Sequence, residues 1–103
     1  MDRIQKIKEL LLAQPNDSFL QHALALEYLK LGEEQGAKEL FQNVIKEDEN
    51  YVGSYYQLAK LLEHHDQVEE AKAVYEKGML KAKEAADQHT YNELRSAYEE
   101  LIY

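Results

Sequence analysis

The stretch YYQLAKLLEHHDQVEEAKAVYEKG, residues 55–78, decides the fold, because its pattern of small and large side chains occurs twice. The earlier copy is QHALALEYLKLGEEQGAKELFQNV, residues 21–44, which lies 34 residues before it. The positions that agree in identity or in size are Leu58 with Leu24, Ala59 with Ala25, Leu62 with Tyr28, Ala71 with Ala37 and Tyr75 with Phe41. Such a period, with two amphipathic helices per copy, is typical of stacked helical hairpins that cover each other's apolar faces. Proteins of this build bind partners and seldom catalyse reactions.

Apolar spacing and turn residues predict six helices in one domain of residues 1–103. The helices are expected at residues 1–14, 18–31, 35–47, 51–64 and 67–83 and, after a joint at residues 85–88, to the end of the chain. Pro15 ends the first, Asp17 or Ser18 caps the second, and Gly32 ends the second in a left-handed conformation. Gly78 costs about 1 kcal/mol relative to alanine in mid-helix, so we expect a close helix neighbour there. The predicted fold is an all-α, short α-solenoid of antiparallel helical hairpins.

Composition narrows the classes of partner. The chain carries 12 Lys and Arg against 20 Asp and Glu, which gives a net charge of -8. This charge repels phosphate backbones and anionic lipid, so we expect a basic or neutral protein or peptide rather than nucleic acid or a membrane. The absence of cysteine excludes disulfides and is compatible with the cytoplasm, where we expect the protein. The apolar run at residues 10–13 is too short for a signal peptide or a membrane span.

Residues 55–78 resemble the tetratricopeptide repeat. The matching positions are Tyr55, Leu58, Ala59 and Leu62 on the first helix and Ala71, Tyr75 and Gly78 on the second. Residues 21–44 are similar, but Gln21 stands where the family usually has a large aromatic residue, so we expect looser packing there. The resemblance divides the chain into an N-terminal half-repeat (1–15), two repeats (18–51 and 52–85) and a C-terminal capping helix (88–103).

The resemblance implies that the first helices of the repeats line a concave surface that binds a peptide. The side chains expected on it by helical phase are Phe19, His22, Leu26 and Leu29, then Tyr56, Lys60 and Glu63, and on the last helix His89 and Asn92. The apolar members would anchor the peptide and Lys60 would pair with a carboxylate. Alternatively, a neighbouring helix covers Leu26 and Leu29, since apolar stripes at helical spacing more often form core. The lysine, asparagine and arginine clamp that some family members use for a C-terminal carboxylate is not reproduced.

The segment at residues 63–66 has side chains that could bind a metal. His64 and His65 offer imidazole ligands, and the flanking acids offer carboxylates. Adjacent histidines at a helix end are expected to point apart, so a solvated turn is the better interpretation and no metal is expected. The sequence contains neither a nucleophile motif nor a glycine-rich phosphate loop. We therefore predict no enzyme activity and no cofactor.

Two functions remain. The first is a non-catalytic scaffold or adaptor that binds a peptide or protein segment on the concave surface. The second is a structural self-association module that forms a homo-oligomer through its terminal half-repeats, with Ile4, Ile7, Tyr98 and Tyr103 stacking on another copy.

Overall fold

The structure, a computed structural model, describes residues 2–103, which form six α-helices and no β-strand. The helices are α1 (Arg3–Ala13), α2 (Ser18–Lys30), α3 (Glu34–Glu47), α4 (Gly53–His64), α5 (Val68–Glu84) and α6 (Gln88–Ile102). The described chain divides into two compact units, residues 2–48 with the first three helices and residues 49–103 with the last three. The predicted all-α fold of six helices is confirmed.

Aspartate side chains cap three of the helices. Asp2 accepts a hydrogen bond from the Gln5 amide at 2.8 Å at the start of α1, and Asp17 accepts one from the Leu20 amide at 2.9 Å at the start of α2. Asp87 accepts one from the Thr90 amide at 3.1 Å and caps α6, which begins at residue 88, at the end of the joint expected at residues 85–88. The predicted start of α4 at residue 51 is wrong, because residues 51–52 lie outside the helix.

In each unit a helical hairpin is built around two alanines that exclude solvent completely. Ala25 and Ala37 are fully buried in the α2–α3 hairpin, and Ala59 and Ala71 are fully buried in the α4–α5 hairpin. Small side chains let two helix axes approach closely, and larger residues fill the spaces beside them. The 34-residue correspondence predicted from the sequence therefore describes the real packing of both hairpins.

Gly78 in α5 marks the closest approach of helices in the second unit. A Cβ atom at this position would lie 2.7 Å from the Tyr55 Cβ atom and 3.1 Å from Leu94 Cδ1. The predicted close neighbour is confirmed, although it consists of side-chain atoms of α4 and α6 rather than of backbone. The glycine thus permits three helices to meet at one point.

Gln21 in α2 is buried, with 6% of its surface exposed, so the looser packing expected at this position is wrong. Its Nε2 donates to the Pro15 carbonyl at 2.8 Å, and its Oε1 accepts from Asn43 Nδ2 at 2.8 Å. Tyr55, 34 residues later, donates its hydroxyl to the Glu49 carbonyl at 2.7 Å. Each side chain therefore donates a hydrogen bond to the carbonyl group six residues before it. Gln21 thus makes in the first unit the backbone contact that Tyr55 makes in the second.

Candidate binding grooves

The four site residues predicted in the first repeat lie together. They line a groove of about 700 Å³ on α2, which we call the first groove; its predicted members are Phe19, His22, Leu26 and Leu29. Phe19 is 66% exposed, and the two leucines are partly exposed, so neighbouring helices do not cover this stripe completely. The first groove is therefore an apolar surface open to solvent.

The charged residues of the first groove are arranged around one carboxylate. Glu27 lies 3.0 Å from Lys30 Nζ and 3.3 Å from Arg3 Nε. The hydrogen bond from Lys30 is the main cause that lowers the pKa of Glu27, with further contributions from the charges of Lys30 and Arg3. Because two cations share one anion, the first groove carries a local excess of positive charge in an acidic protein.

His22 forms part of the wall of the first groove. Its ring lies edge-on to Phe41, with 5.3 Å between the ring centroids. Burial lowers the pKa of His22, since removing water disfavours the charged imidazolium. The contact with a core aromatic residue ties this wall of the groove to the α2–α3 hairpin.

The second unit has a groove of about 380 Å³ between α4 and α6, which we call the second groove. Its residues are Tyr56, Lys60, His89, Asn92, Glu93, Ser96, Ala97 and Glu100. Four of these are predicted site residues, and the sequence did not predict Glu100 on this surface. Two carboxylates against one lysine make the second groove polar and acidic.

Lys60 already has partners inside the second unit. Its Nζ lies 5.8 Å from the centroid of the Tyr56 ring and 3.7 Å from Glu63 Oε2. Glu63 lines neither groove and accepts a hydrogen bond from the Tyr75 hydroxyl. Burial, and then this hydrogen bond, raise the pKa of Tyr75 strongly. The structure thus places Glu63 between Lys60 of its own helix and Tyr75 of α5, outside the lining of both grooves.

The two grooves use corresponding positions of α2 and α6. Each residue of α6 in the second groove lies 70 residues after a residue of α2 in the first groove: His89 after Phe19, Asn92 after His22, Glu93 after Ala23, Ser96 after Leu26, Ala97 after Glu27 and Glu100 after Lys30. The same helix face is therefore apolar and locally basic in one unit, but polar and acidic in the other.

Two details differ from the sequence interpretation. The rings of His64 and His65 do not point apart but stack, with centroids 6.0 Å apart and planes at 20°. The helix ends between them, and His65 leaves helical geometry at φ -98° and ψ 18°, which changes the direction of its side chain. Ile7, assigned to an outer stacking face, is only 5% exposed and belongs to the core of the first unit.

The sequence analysis missed a further apolar groove of about 600 Å³ in the first unit, on the side of α2 that carries Leu24 and Tyr28. Leu11 and Leu12 of α1 and Leu40 of α3 also line it. Leu12 is 85% exposed. A count of leucines on the outer side of the first and third helices would have indicated this surface.

None of the six described helices has both the length and the hydropathy that a bilayer crossing requires.

Comparison with known proteins agrees with this architecture. No curated protein matches the chain. A family model described as tetratricopeptide repeat matches residues 28–97.

Solved structures are also similar. The solution structure of a tetratricopeptide repeat domain protein from Salinibacter ruber is 37% identical, covers 84% of this chain and 88% of its own, and has a TM-score of 0.80. The TPR2B domain of yeast Sti1, in a complex with pHsp70, is 18% identical over 95% of this chain and 78% of its own, with a TM-score of 0.86. The first TPR of Spaghetti, bound to an HSP90 peptide, is 22% identical over 97% and 80%, with a TM-score of 0.75. The last two show likeness of fold alone. The family match and the bacterial relative show that this chain belongs to the tetratricopeptide repeat family.

Proposed function

We propose that the chain is a non-catalytic scaffold that binds a segment of another polypeptide through the first and second grooves. The observation that carries the proposal is the first groove, where Phe19 is largely exposed beside Leu26 and Leu29. Exposed aromatic and aliphatic residues in one concave patch are the anchors that peptide-binding proteins use. Two of the similar structures are complexes, one with pHsp70 and one with an HSP90 peptide, which supports this class of activity.

Each groove favours a different kind of partner side chain. The first groove suits apolar side chains, because its floor is formed by α2 leucines and Phe19. The second groove suits polar and basic side chains, because Glu93 and Glu100 outnumber Lys60. A basic or neutral partner also agrees with the net charge of -8, which favours association with positive segments at low salt.

We further propose the division of the chain into repeats that the sequence suggests. Residues 18–51 and 52–85 would be complete repeats, 1–15 a half-repeat and 88–103 a capping helix. The helix bounds support it, since each complete repeat contains two helices and each terminal segment contains one.

The test is capture of partners from cell extract by the purified chain and by the double variant Leu26→Glu, Tyr56→Ala. We expect capture to fall strongly, because a charge in the first groove and the loss of a ring in the second remove one anchor from each. The matched control is Leu31→Glu, Tyr103→Ala, which changes the same residue types at positions that are 65% and 94% exposed and lie in neither groove. Equal capture by the first variant and the wild type would rule out the grooves.

A further inference from the structure

Helix α1 corresponds to the second helix of a hairpin, and among residues 2–48 no described helix stands in the place of that hairpin's first helix. Twice the repeat interval, 68 residues, aligns α1 with α5, so that Arg3 corresponds to Ala71 and Leu10 to Gly78. In the second unit, α4 covers these α5 positions, and Ala71 is fully buried. In α1, the Arg3 side chain is 67% exposed and Leu10 is 45% exposed.

The uncovered side of α1 continues onto α2. Arg3, Lys6 and Leu10 of α1 and Phe19 and Ala23 of α2 line a cleft of about 190 Å³, and we call these five residues the half-repeat face. In the second unit, α4 packs against both α5 and α6, which are the helices that correspond to α1 and α2. The half-repeat face therefore corresponds to the surface that receives a helix in the second unit.

We propose that the half-repeat face binds an amphipathic helix of a partner protein, which completes the hairpin with α1 and carries an acidic residue opposite Arg3. A helix with apolar residues three and four positions apart would cover Leu10 and Phe19. The acidic residue of the partner helix would stand at the position that the buried Ala59 occupies in α4. This inference rests on the proposed function in that the occupant is a segment of a protein partner.

The charge of the half-repeat face determines which residues the partner helix should carry. The half-repeat face carries Arg3 and Lys6 and no acid, in a chain whose net charge is -8. Glu27 lies beside this face and pairs with Arg3 at 3.3 Å, but it also pairs with Lys30. A positive charge remains for a partner carboxylate, and Arg is suited to bind one with two hydrogen bonds.

A second copy of the chain does not fit this place. Among the described helices, the one that a copy could offer is α6, which corresponds to α2 and α4. At the position of Ala25 and Ala59 in those helices, α6 has Arg95, which lies 3.5 Å from Glu99. Docking α6 on α1 would bring Arg95 against Arg3, and like charges at a helix crossing oppose association.

The test uses a peptide derived from α4, the helix that packs against the corresponding positions of α5 and α6. The probe is a synthetic peptide of residues 51–66, which includes α4, with the substitution Ala59→Glu; a second peptide carries Ala59→Lys. Binding to the full chain is measured by fluorescence anisotropy and by amide chemical shifts. We expect the glutamate peptide to bind roughly five- to tenfold more tightly than the lysine peptide, with shifts at Arg3, Leu10 and Ala23.

Reversing the charge of Arg3 tests whether this residue determines the preference for the glutamate peptide. The variant Arg3→Glu is expected to prefer the lysine peptide, whereas the matched control Arg95→Glu, the other arginine of the chain, is expected to keep the wild-type order. Far-ultraviolet circular dichroism checks that both variants are folded. The absence of binding at millimolar peptide, the same order of affinities with Arg3→Glu, or shifts confined to α5 and α6 would overturn the proposal.

Two further outcomes separate this inference from the proposed function. If the Leu26→Glu, Tyr56→Ala variant loses its partners while neither peptide shifts α1, the scaffold function stands and the inference fails. If the wild type sediments as a dimer that Leu10→Asp dissociates, a second copy occupies the half-repeat face and the inference also fails.

Discussion

The α2–α3 and α4–α5 hairpins each place a tyrosine against a glycine, but at different points. In the α4–α5 hairpin, Gly78 leaves room for Tyr55, and a Cβ atom there would lie 2.7 Å from the Tyr55 Cβ atom. In the α2–α3 hairpin, Gly36 leaves room for Tyr28, and a Cβ atom there would lie 3.0 Å from Tyr28 Cδ2. The first contact involves an atom fixed to the helix backbone, whereas the second involves the edge of a ring that can rotate.

Where one hairpin has a tyrosine and a glycine, the corresponding positions of the other hairpin hold a smaller residue in place of the tyrosine and a larger one in place of the glycine. Gln21 corresponds to Tyr55, and the residue that corresponds to Gly78 is Val44, which is 1% exposed. Leu62 corresponds to Tyr28, and its partner position holds Glu70. A large ring is therefore accompanied by glycine, and a smaller side chain by a larger partner. At both pairs of positions glycine accompanies the tyrosine, so a methyl group on either glycine would press on that tyrosine side chain.

The largest effect is expected for Gly78→Ala. Alanine normally favours a helix over glycine by about 1 kcal/mol, but here the new methyl group meets the Tyr55 Cβ atom, which can move only with α4. We expect a net loss of about 1–3 kcal/mol in the free energy of unfolding, measured by urea denaturation. A stabilised variant would show that the close approach of α4 and α5 is not needed.

The next effect concerns Gln21→Leu in the first hairpin. The substitution keeps the volume but removes the hydrogen bonds to the Pro15 carbonyl and from Asn43. We expect a loss of about 1–2 kcal/mol in urea denaturation, since both partner groups must then be solvated. Gln42→Leu, at an exposed position of α3, is the control and should change stability by less than about 0.5 kcal/mol. Equal effects would show that burial alone matters at residue 21.

A smaller effect is expected for Tyr55→Phe in the second hairpin. The ring stays and only the hydrogen bond to the Glu49 carbonyl is lost, so unfolding should cost about 1 kcal/mol less. Tyr103→Phe, at a side chain that is 94% exposed, is the control. If Tyr55→Phe leaves the free energy of unfolding unchanged, the hydrogen bond to the carbonyl group six residues earlier does not stabilise the second hairpin.

A smaller effect still is expected for Gly36→Ala. The gain in helix propensity, about 1 kcal/mol, is offset by the displacement of the Tyr28 ring edge, so we expect a change within about 0.5 kcal/mol of zero. Thermal and urea denaturation should agree on this small value. A loss as large as that of Gly78→Ala would show that the Tyr28 ring is held as firmly as the Tyr55 Cβ atom.

The pH dependence of the first unit gives the last prediction. Burial lowers the folded-state pKa of His22 below its unfolded value of about 6.5, so the unfolded state binds more protons as the solution becomes acidic. The stability contributed by neutral His22 is complete above that pH and is lost as the pH falls through the folded pKa. We expect a shallower fall of unfolding free energy between neutral and acidic pH in His22→Gln than in wild type. His89→Gln, in a side chain that is 90% exposed, is the matched control.

The sequence predicted the parts of the molecule that repeat. The 34-residue interval identified the buried alanines and assigned Leu24 and Leu58 to the core, because periodic burial leaves a periodic pattern. It also brought together the residues of the first groove, which lie on one face of one helix. Here a single helix is enough to fix which side chains are neighbours.

Features that depend on unique contacts were not predictable in the same way. The interpretation of Gln21 failed because a pattern of sizes does not show a hydrogen bond to the Pro15 carbonyl. Glu63 stays a predicted site residue, but the helical pattern of α4 did not show that its carboxylate accepts a hydrogen bond from Tyr75 of α5. Helical phase places a side chain on a face, whereas a partner from another helix decides what that side chain does there.

Arg3 and Arg95 have a consequence for how such a chain can grow. Both stand at positions where the complete repeats have alanine, one in the first helix of the chain and one in the last. A tandem fusion of two copies, head to tail, would have to accommodate both guanidinium groups at the junction. Duplication of an internal 34-residue segment would add a repeat and leave both arginines at the extremities. Engineers who wish to lengthen the protein should therefore insert copies inside it rather than join whole chains.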